Sequence, residues 1–226
     1  MKKKFLCLMA LMAVSLLALA EMSIFVYQKD GEKVEYLAAN VDSIGFVDVN
    51  AHEWVDLGLP SGTKWATMNV GADSPEDYGD YFAWGETTPK SFYIGTNYNY
   101  SSSPTTLPLE DDAAYTNWGT SWRMPTKAEL TELVNEDYTV CTWITQNGVN
   151  GWKVTSKING NTIFLPAAGF CRYSLSSAGS RGNYWSSSLA ADYSYYAYYL
   201  CFGSAGVYNS SYGRYDGQSV RPVLRE

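Results

Sequence analysis

Residues 182–222 read GNYWSSSLAADYSYYAYYLCFGSAGVYNSSYGRYDGQSVRP, and the rest of the chain is interpreted from this stretch. It holds nine of the nineteen tyrosines, set among Ser, Ala, Gly and Asn, and its only charged residue before Arg214 is Asp192. Tyrosine supplies large amphipathic contact area at low cost in side-chain entropy, and Ser, Gly and Asn supply adaptable hydrogen bonds, as in antibody paratopes. The stretch is therefore predicted to be a binding surface. A tyrosine-rich sheet that only folds is the alternative, because aromatic residues also favour strands.

Within this stretch, the alternation of side chains over residues 197–203 predicts a strand with one buried face. Leu200 and Phe202 are expected in the core. The opposite, outward face would carry Tyr199, Cys201 and Gly203. Among the tyrosines of the stretch, Tyr195, Tyr208 and Tyr212 are expected to be exposed.

The first twenty residues have the features of a secretory signal peptide. Three lysines, Lys2–Lys4, precede an apolar run, and Ala18-Leu19-Ala20 has the small-x-small pattern of a cleavage site. The apolar run is too short to predict an integral membrane span. Cleavage near Ala20 is expected, with export of the mature chain to the periplasm, the cell surface or the medium.

Charge and cysteine content narrow the classes of partner and scaffold. The formal net charge is −7, and loss of Lys2–Lys4 changes it to −10 because Met1–Ala20 has no acidic residue. An acidic surface disfavours nucleic acid and anionic membranes as partners. Three cysteines remain after cleavage, so at most one disulfide can form among Cys141, Cys171 and Cys201, and its pairing is open.

Two units are predicted after the signal peptide. Ser23–Tyr27 and Lys33–Leu37 are strand-like runs around an Asp-Gly turn, which predicts a β-hairpin in a small module of residues 21–50. Val41–Val49 could add a third short strand. The main domain is expected over residues 53–226.

The main domain combines many short strands with one clear helix, which predicts an α+β architecture. Thr126 and Glu129 form a capping box, and Leu130, Leu133 and Val134 follow on one helix face. Strands are predicted within Trp54–Ala66 and at Trp152–Ser156, Thr162–Leu165 and Ser219–Val223. Loops are predicted at Ala190–Tyr196 and Tyr208–Gly213, and the long irregular region Thr87–Gly119 should be either a functional or a mobile loop.

Few residues could carry catalysis or hold a metal. The single histidine, His52, has no cysteine near it in sequence, so a Cys–His or Ser–His nucleophile would need it to be delivered across the fold. Zinc-ligand spacing is absent. The acidic loop Asp73–Asp80 offers oxygen ligands to calcium but lacks EF-hand spacing, so calcium binding and simple solvation both stay open. No catalytic residue, metal ligand or cofactor is predicted, and the chain is not expected to be an enzyme.

Five motifs of the main domain resemble the Fibrobacter-type major paralogous domain. They are EWVDLGLPSGTKWA (53–66), PEDYGDYFAWGE (75–86), SWRMPTKAEL (121–130), YWSS (184–187) and SVRPV (219–223). The third motif is also similar to the Arg-Leu-Pro-Thr motif of formylglycine-generating-enzyme-like domains. These resemblances imply a C-type lectin-like fold, with a long loop region over a small sheet. The close cysteine pair of formylglycine-generating chemistry and the Glu-Pro-Asn or Gln-Pro-Asp triplets of calcium-dependent lectins are missing, so neither activity is carried over.

The tail also resembles the variable region of proteins that are diversified by retroelements, where adenine-directed mutagenesis rewrites codons near the C-terminus of a lectin-like domain. The resemblance implies a variable region over about residues 183–218, within a frame that includes Leu200, Phe202, Val207, Arg214, Gly217 and Ser219–Val223. The residues predicted to contact a ligand are Asp192, Tyr193, Ser194, Tyr195, Tyr196, Tyr199, Cys201, Tyr208, Asn209, Ser210, Ser211, Tyr212, Tyr215, Asp216 and Gln218. A paralogous domain without active diversification is the alternative.

Two functions from different classes follow from these observations. The first is an exported module that presents its tail to an unknown protein or glycan ligand. The second is a structural surface or envelope component whose tyrosine-rich tail packs in an assembly.

Overall fold

The computed structural model of the protein describes residues 23–27, 33–37 and 52–225. The chain divides into two compact units, Met1–Ala51 and His52–Glu226. The signal peptide predicted for residues 1–20 and the strand predicted at Val41–Val49 lie outside the described residues.

The described part of the first unit is a two-stranded antiparallel sheet. Strand β1 (Ser23–Tyr27) pairs with β2 (Lys33–Leu37), in a register that runs from Ser23 opposite Leu37 to Tyr27 opposite Lys33. The predicted pairing of these two strands is confirmed, and the Asp-Gly turn between them lies outside the described residues.

The second unit is mostly β, with two short helices and several small antiparallel sheets, an arrangement compatible with the predicted α+β class. Its elements in chain order are β3 (Trp54–Asp56), β4 (Lys64–Ala66), α1 (Ala113–Trp118), β5 (Trp122–Arg123), α2 (Lys127–Leu133), β6 (Thr139–Gln146), β7 (Val149–Ser156), β8 (Thr162–Pro166), β9 (Phe170–Cys171), β10 (Leu175–Ser176), β11 (Arg181–Leu189), β12 (Tyr196–Gly203), β13 (Gly206–Gly213) and β14 (Val223–Leu224). Neither helix of the described residues is long and apolar enough to cross a bilayer.

The beginning and the end of this unit meet in one four-stranded sheet. Its strand order is β3-β4-β14-β5, so the last strand of the chain lies between the second and third strands of the unit. Val223 pairs with both Trp65 and Arg123. Two further sheets, β6-β7-β8 and β11-β12-β13, are antiparallel meanders. The long segment between β4 and α1 has only single helical turns and isolated bridges. The irregular region predicted over Thr87–Gly119 was wrong at its end, because Ala113–Trp118 forms the helix α1, capped by the Asp112 side chain.

The sheet β11-β12-β13 separates two hydrophobic cores. On one face, Tyr184, Leu200 and Phe202 pack with residues of α2, β7 and β8. On the other face, Trp185 and Ala197 pack against a second cluster that contains Trp84 and Met124, among others. Leu200 and Phe202 are fully buried, as predicted. Truncation of such buried side chains typically costs about 2–5 kcal/mol, so this sheet anchors the domain.

Two predictions about the tail were wrong. The segment Tyr208–Gly213 is not a loop but part of β13, because its backbone pairs with β12 along the whole strand. The second face of β12 is not outward either: Cys201 is 6% exposed and Gly203 is buried. On that face Cys201 shares a small cavity with Phe170 of β9 and Gln218 of the returning chain. These segments are held by bridges from Cys171 to Gly217 and from Phe82 to Gln218.

A buried guanidinium fastens the closing segment of the chain. Arg221 is 1% exposed, and its Nε donates to Asn69 Oδ1 at 2.9 Å. Its Nη1 donates to the carbonyl oxygens of Ala66 and Thr67 at 3.1 and 2.7 Å. Arg221 belongs to the segment Ser219–Val223 of the predicted frame, and these hydrogen bonds fix it in the buried interior.

The predicted capping box is present at the start of α2. The Thr126 hydroxyl accepts from the Glu129 amide at 3.2 Å, and Glu129 Oε2 accepts from the Thr126 amide at 2.7 Å. Arg123 adds a bidentate pair to the same carboxylate, at 2.8 and 2.6 Å. Burial alone would raise the pKa of Glu129, but the hydrogen bonds and charge of Arg123 and the Thr126 amide outweigh it and lower the pKa to about 2.

Replacement of Glu129 by Gln is expected to lower the free energy of unfolding by about 2–3 kcal/mol at pH 7, from a pKa that falls from 4.5 to about 2 on folding. A carboxylate whose pKa is lowered by folding stabilises fully above its unfolded pKa, so the deficit should shrink as the pH falls from about 4.5 toward 2. Urea denaturation across this pH range measures it. The exposed Glu136→Gln is the control, and a deficit that does not change with pH would contradict the assignment.

Candidate functional site

A cleft of about 580 Å³ opens between the tail and the irregular segment that precedes α1. One wall comes from residues 194–196, at the start of β12, and from residues 212–215, at the end of β13. The other wall comes from residues 98–103, and Arg172 closes one side. The lining residues are Tyr98, Asn99, Tyr100, Ser101, Ser103, Arg172, Ser194, Tyr195, Tyr196, Tyr212, Gly213, Arg214 and Tyr215.

The turn between β11 and β12 carries the most exposed tyrosines among the described residues of the tail. Tyr193, Tyr195 and Tyr196 are 64%, 84% and 41% exposed. The turn is closed by backbone hydrogen bonds from Ala190 to the Tyr196 carbonyl at 3.0 Å and from Tyr196 to the Tyr193 carbonyl at 2.9 Å. The rings of Tyr193 and Tyr196 also meet edge to face, with centroids 6.0 Å apart. These aromatic side chains therefore project from an ordered turn.

Arg214 joins the two walls of the cleft. Its Nε donates to the Tyr98 hydroxyl at 2.8 Å, and its Nη2 donates to the Ser102 carbonyl at 2.6 Å. Its Nη1 reaches across to the Ser194 carbonyl at 2.8 Å. The remaining bonds go to Tyr100 O and Ser103 Oγ at 3.2 and 3.3 Å. The guanidinium also lies 4.8 Å from the ring centroid of Trp84, within the range of a cation–π interaction.

The side of the cleft is held by an ion pair between Arg172 and Asp216. The Arg172 Nε and Nη2 donate to the two carboxylate oxygens at 2.5 and 3.2 Å, and Nη2 also donates to the Tyr212 hydroxyl at 2.9 Å. Burial raises the pKa of Asp216, against the hydrogen bonds and charge of Arg172, which lower it. The hydrogen bond to Asp216 raises the pKa of Arg172. Asp216 thus fixes the guanidinium from behind the wall.

The phenol groups on the far wall are neutral. Burial raises the pKa of Tyr98 above its ordinary value and raises the pKa of Tyr100 to about 12. Both hydroxyls therefore stay protonated at physiological pH. The Tyr98 hydroxyl donates its proton to the Trp84 carbonyl at 2.7 Å.

The structure places the predicted ligand contacts in different environments. Five of them line the cleft, namely Ser194, Tyr195, Tyr196, Tyr212 and Tyr215. Asp192 and Tyr193 are exposed on the adjoining turn, and Ser211 and Tyr199 are half-buried. The side chains of Tyr208, Asn209 and Ser210 lie outside the described part of the structure. Tyr195 is exposed as predicted, whereas the prediction that Tyr212 is exposed was wrong, because Tyr212 packs against the second core.

Three predicted surface residues are buried, which corrects their assignment to an exposed surface. Cys201, Asp216 and Gln218 are 6%, 0% and 1% exposed. Cys201 and Gln218 border a small internal cavity of about 100 Å³ that Phe170 and Arg181 also line. Asp216 is buried because it pairs with Arg172. These side chains support the site from beneath instead of facing a ligand.

The predicted frame is largely buried. A Cβ atom at Gly217 would lie 2.6 Å from ring atoms of Tyr93, so only glycine fits between the returning chain and that ring. Arg214 is 4% exposed, and Ser219 and Val220 are fully buried. Val207 is the exception, at 38% exposure near the β12-β13 turn.

The remaining residues considered for catalysis, disulfide formation or metal binding are His52, the three cysteines and the acidic loop. His52 stacks on the ring of Trp118, with centroids 3.5 Å apart. Cys141, Cys171 and Cys201 are all free thiols, so none of the pairings left open by the sequence is formed. Among the described residues, no group of three or more His, Cys, Asp or Glu side chains is placed to hold a metal ion, and in the acidic loop Glu76 accepts from the side-chain amides of Gln146 and Asn147.

Two parts of the cleft were missed from the sequence. The segment 98–103 belongs to a region that was predicted only as a functional or mobile loop, and Arg172 was not singled out at all. Composition pointed to the tyrosine-rich tail, but the second wall comes from more than ninety residues earlier in the chain and shares only its Tyr, Ser and Asn content.

Comparison of the chain with models of protein families, with curated proteins and with solved structures finds no match in any of the three.

Replacement of Arg214 by Lys is expected to lower the free energy of unfolding by about 2 kcal/mol or more, because an ammonium cannot reproduce the planar fork that donates to both walls. Hydrogen exchange measured by mass spectrometry should rise in residues 98–103 and 190–196 more than in β7 or β12. Arg225→Lys is the matched control, since Arg225 is exposed and makes one 3.4 Å hydrogen bond to the Thr120 carbonyl. Equal exchange in both variants would show that Arg214 does not hold the walls.

Proposed function

We propose that the protein is an exported ligand-binding module that uses the cleft and the adjoining tyrosine turn as its binding surface, on a C-type lectin-like scaffold of the Fibrobacter-type major paralogous class. Export rests on the signal peptide predicted for residues 1–20. The scaffold assignment rests on the five motifs, and a long irregular segment beside small antiparallel sheets is compatible with it.

The observation that carries the proposal is the meeting of two Tyr/Ser/Asn segments around one cleft. Tyr195 and Tyr196 face Tyr98 and Tyr100 across a space of about 580 Å³, which falls in the range of roughly 300–1,000 Å³ typical of ligand sites. The walls are fixed in advance by Arg214, and preorganised walls reduce the entropy lost on binding.

The chemistry of the lining favours binding over catalysis. The lining holds Ser and Tyr hydroxyls, but among the described lining residues there is no His, Asp, Glu or Lys that could act as the base to activate them. What the lining offers is aromatic surface, hydroxyl and amide groups, and guanidinium. These are the groups of a recognition surface.

The exposed positions of the tail also support a diversified surface. Residues 191–196 are all exposed and stand on a turn between two strands whose other side chains fill the cores. Changes at these positions leave packing untouched, so they could vary without loss of the fold.

Replacement of Tyr195 and Tyr196 together by Ser is expected to reduce ligand binding at least about 30-fold, as loss of a hot spot of about 2 kcal/mol does, while the melting temperature changes little. Binding is measured on a glycan array and to isolated cell envelopes. Tyr173→Ser is the matched control, because Tyr173 is 80% exposed and does not line the cleft. Undiminished binding by the double variant would leave the alternative, a structural surface component.

Active diversification predicts a signature in the flanking DNA. We expect a near-copy of the sequence that encodes residues 183–218, differing at adenines of the copy, together with a reverse transcriptase gene. The mismatched codons should fall on exposed positions such as Asp192–Tyr196 and should spare Arg214, Gly217 and Ser219–Val223. Sequencing of the neighbouring DNA checks this, and a flank without a copy would limit the proposal to a binding module that is not diversified.

A further inference from the structure

The cleft carries a positive charge within an acidic protein. Its only charged lining residues in the described structure are Arg172 and Arg214. Asp216 balances Arg172, whereas Arg214 donates only to hydroxyl and carbonyl oxygens, and no ion pair to it occurs among the described residues. The whole chain has a formal net charge of −7. Because charge of one sign in a cleft attracts ligands of the opposite sign, the cleft favours an anion.

Arg172 is the group placed to contact that anion. Its Nε and Nη2 are engaged by Asp216 and Tyr212, while Nη1 has no hydrogen-bond partner within the described residues. The side chain is 39% exposed at the side of the cleft. A guanidinium that is already fixed by a bidentate pair loses little freedom when its remaining nitrogen binds a ligand.

Arg172 is also surrounded by aromatic rings. Its guanidinium carbon lies 5.2 Å from the ring centroid of Tyr212 and 6.0 Å from that of Tyr215. On the opposite wall, Tyr98 and Tyr100 alternate with Asn99 and Ser101. Flat apolar faces beside neutral donors and acceptors match a saccharide, whose ring has apolar C–H faces and an edge of hydroxyl groups.

We propose that the cleft binds a saccharide that bears a carboxylate, and that Arg172 binds this carboxylate through Nη1. The inference rests on the proposed function and specifies the ligand class of the same site. Asp216 acts as a positioning residue, because it touches the guanidinium from the protein side and is itself buried.

The charges near the two ends of the cleft orient such a ligand. Beyond Asn99 and Tyr100 the surface continues into a shallow groove that Glu86, Lys90 and Asp111 line. Lys90 pairs with Glu86, so among the described residues Asp111 is the lining carboxylate without an ion pair. The carboxylate of a bound saccharide would be repelled at that end and attracted at the end formed by Arg172 and Tyr215. Uncharged sugar units would then lie toward Tyr100.

The test compares acidic saccharides with uncharged counterparts of the same length. The probes are trigalacturonate, a hyaluronan tetrasaccharide and sialyllactose, each paired with its carboxyl methyl ester, and affinity is measured by titration calorimetry at low and at physiological salt. We expect at least one acid to bind at least tenfold more tightly than its ester, with a difference that narrows as salt rises. If no acid is preferred over its ester, the inference is overturned.

Variants assign the preference to Arg172. Arg172→Gln should abolish the difference between acid and ester. Because this variant leaves Asp216 buried without its partner, the double variant Arg172→Gln/Asp216→Asn is made in parallel. Arg225→Gln, which removes a positive charge outside the cleft, should keep the preference. An acid preference that survives both Arg172 variants would overturn the inference.

Failure of this inference is distinguishable from failure of the proposed function. If acid and ester bind equally, and both are lost in the Tyr195→Ser/Tyr196→Ser variant, the cleft binds saccharides without using a carboxylate and only the inference fails. If a polyglutamate peptide binds in the calorimeter while no saccharide does, the class of ligand is wrong but the cleft still binds. If the double tyrosine variant keeps all binding, the proposed function fails as well.

Discussion

The buried charge of Arg221 is the constraint on which the domain depends. Burial lowers the pKa of Arg221 to about 10, which still leaves it charged at neutral pH. Its hydrogen bonds run to the carbonyl oxygens at the end of β4, those of Ala66 and Thr67, and to Asn69, whose amide in turn donates to the Tyr78 carbonyl. A buried charge that loses its partners destabilises a protein by several kcal/mol, so the start and end of the domain must stay together. The same closing segment carries Arg214 and Asp216, and this is why the geometry of the cleft depends on the closure of the fold.

Local signals in the sequence predicted much of the fold. The Asp-Gly hairpin of the first unit, the capping box of α2 and the burial of Leu200 and Phe202 all follow from neighbours within a few residues. The strand β13 could not be predicted from local signals. A run of Tyr, Asn and Ser between glycines is typical of a loop, and it forms a strand here because β12 pairs with its backbone. The covered second face of β12 was missed for a related reason. Alternation shows that a strand has two faces, but it does not show that a distant segment such as β9 will cover the second one.

The candidate site was predictable only in part. Exposure of Tyr195 follows from its place in a turn, whereas Asp216 has the same kind of polar surroundings in sequence and is buried. The difference lies in Arg172, more than forty residues earlier, which supplies the counter-charge that a buried carboxylate needs. Composition alone cannot predict such ion pairs, because it carries no information on which basic residue lies beside which acidic residue in the fold. The same limit hid the wall of residues 98–103, which is hydrogen-bonded to the tail through Arg214.

The hydrogen bonds that Arg214 makes to the two walls determine which sequence changes the tail can tolerate. Three of its acceptors are main-chain carbonyls, those of Tyr100, Ser102 and Ser194. A main-chain carbonyl is present whatever side chain its residue carries. These hydrogen bonds therefore do not depend on the identity of Ser194 or of its neighbours. An insertion or deletion, by contrast, would move the carbonyl out of reach. The turn can therefore accept substitutions of its side chains, but it cannot accept a change in its number of residues.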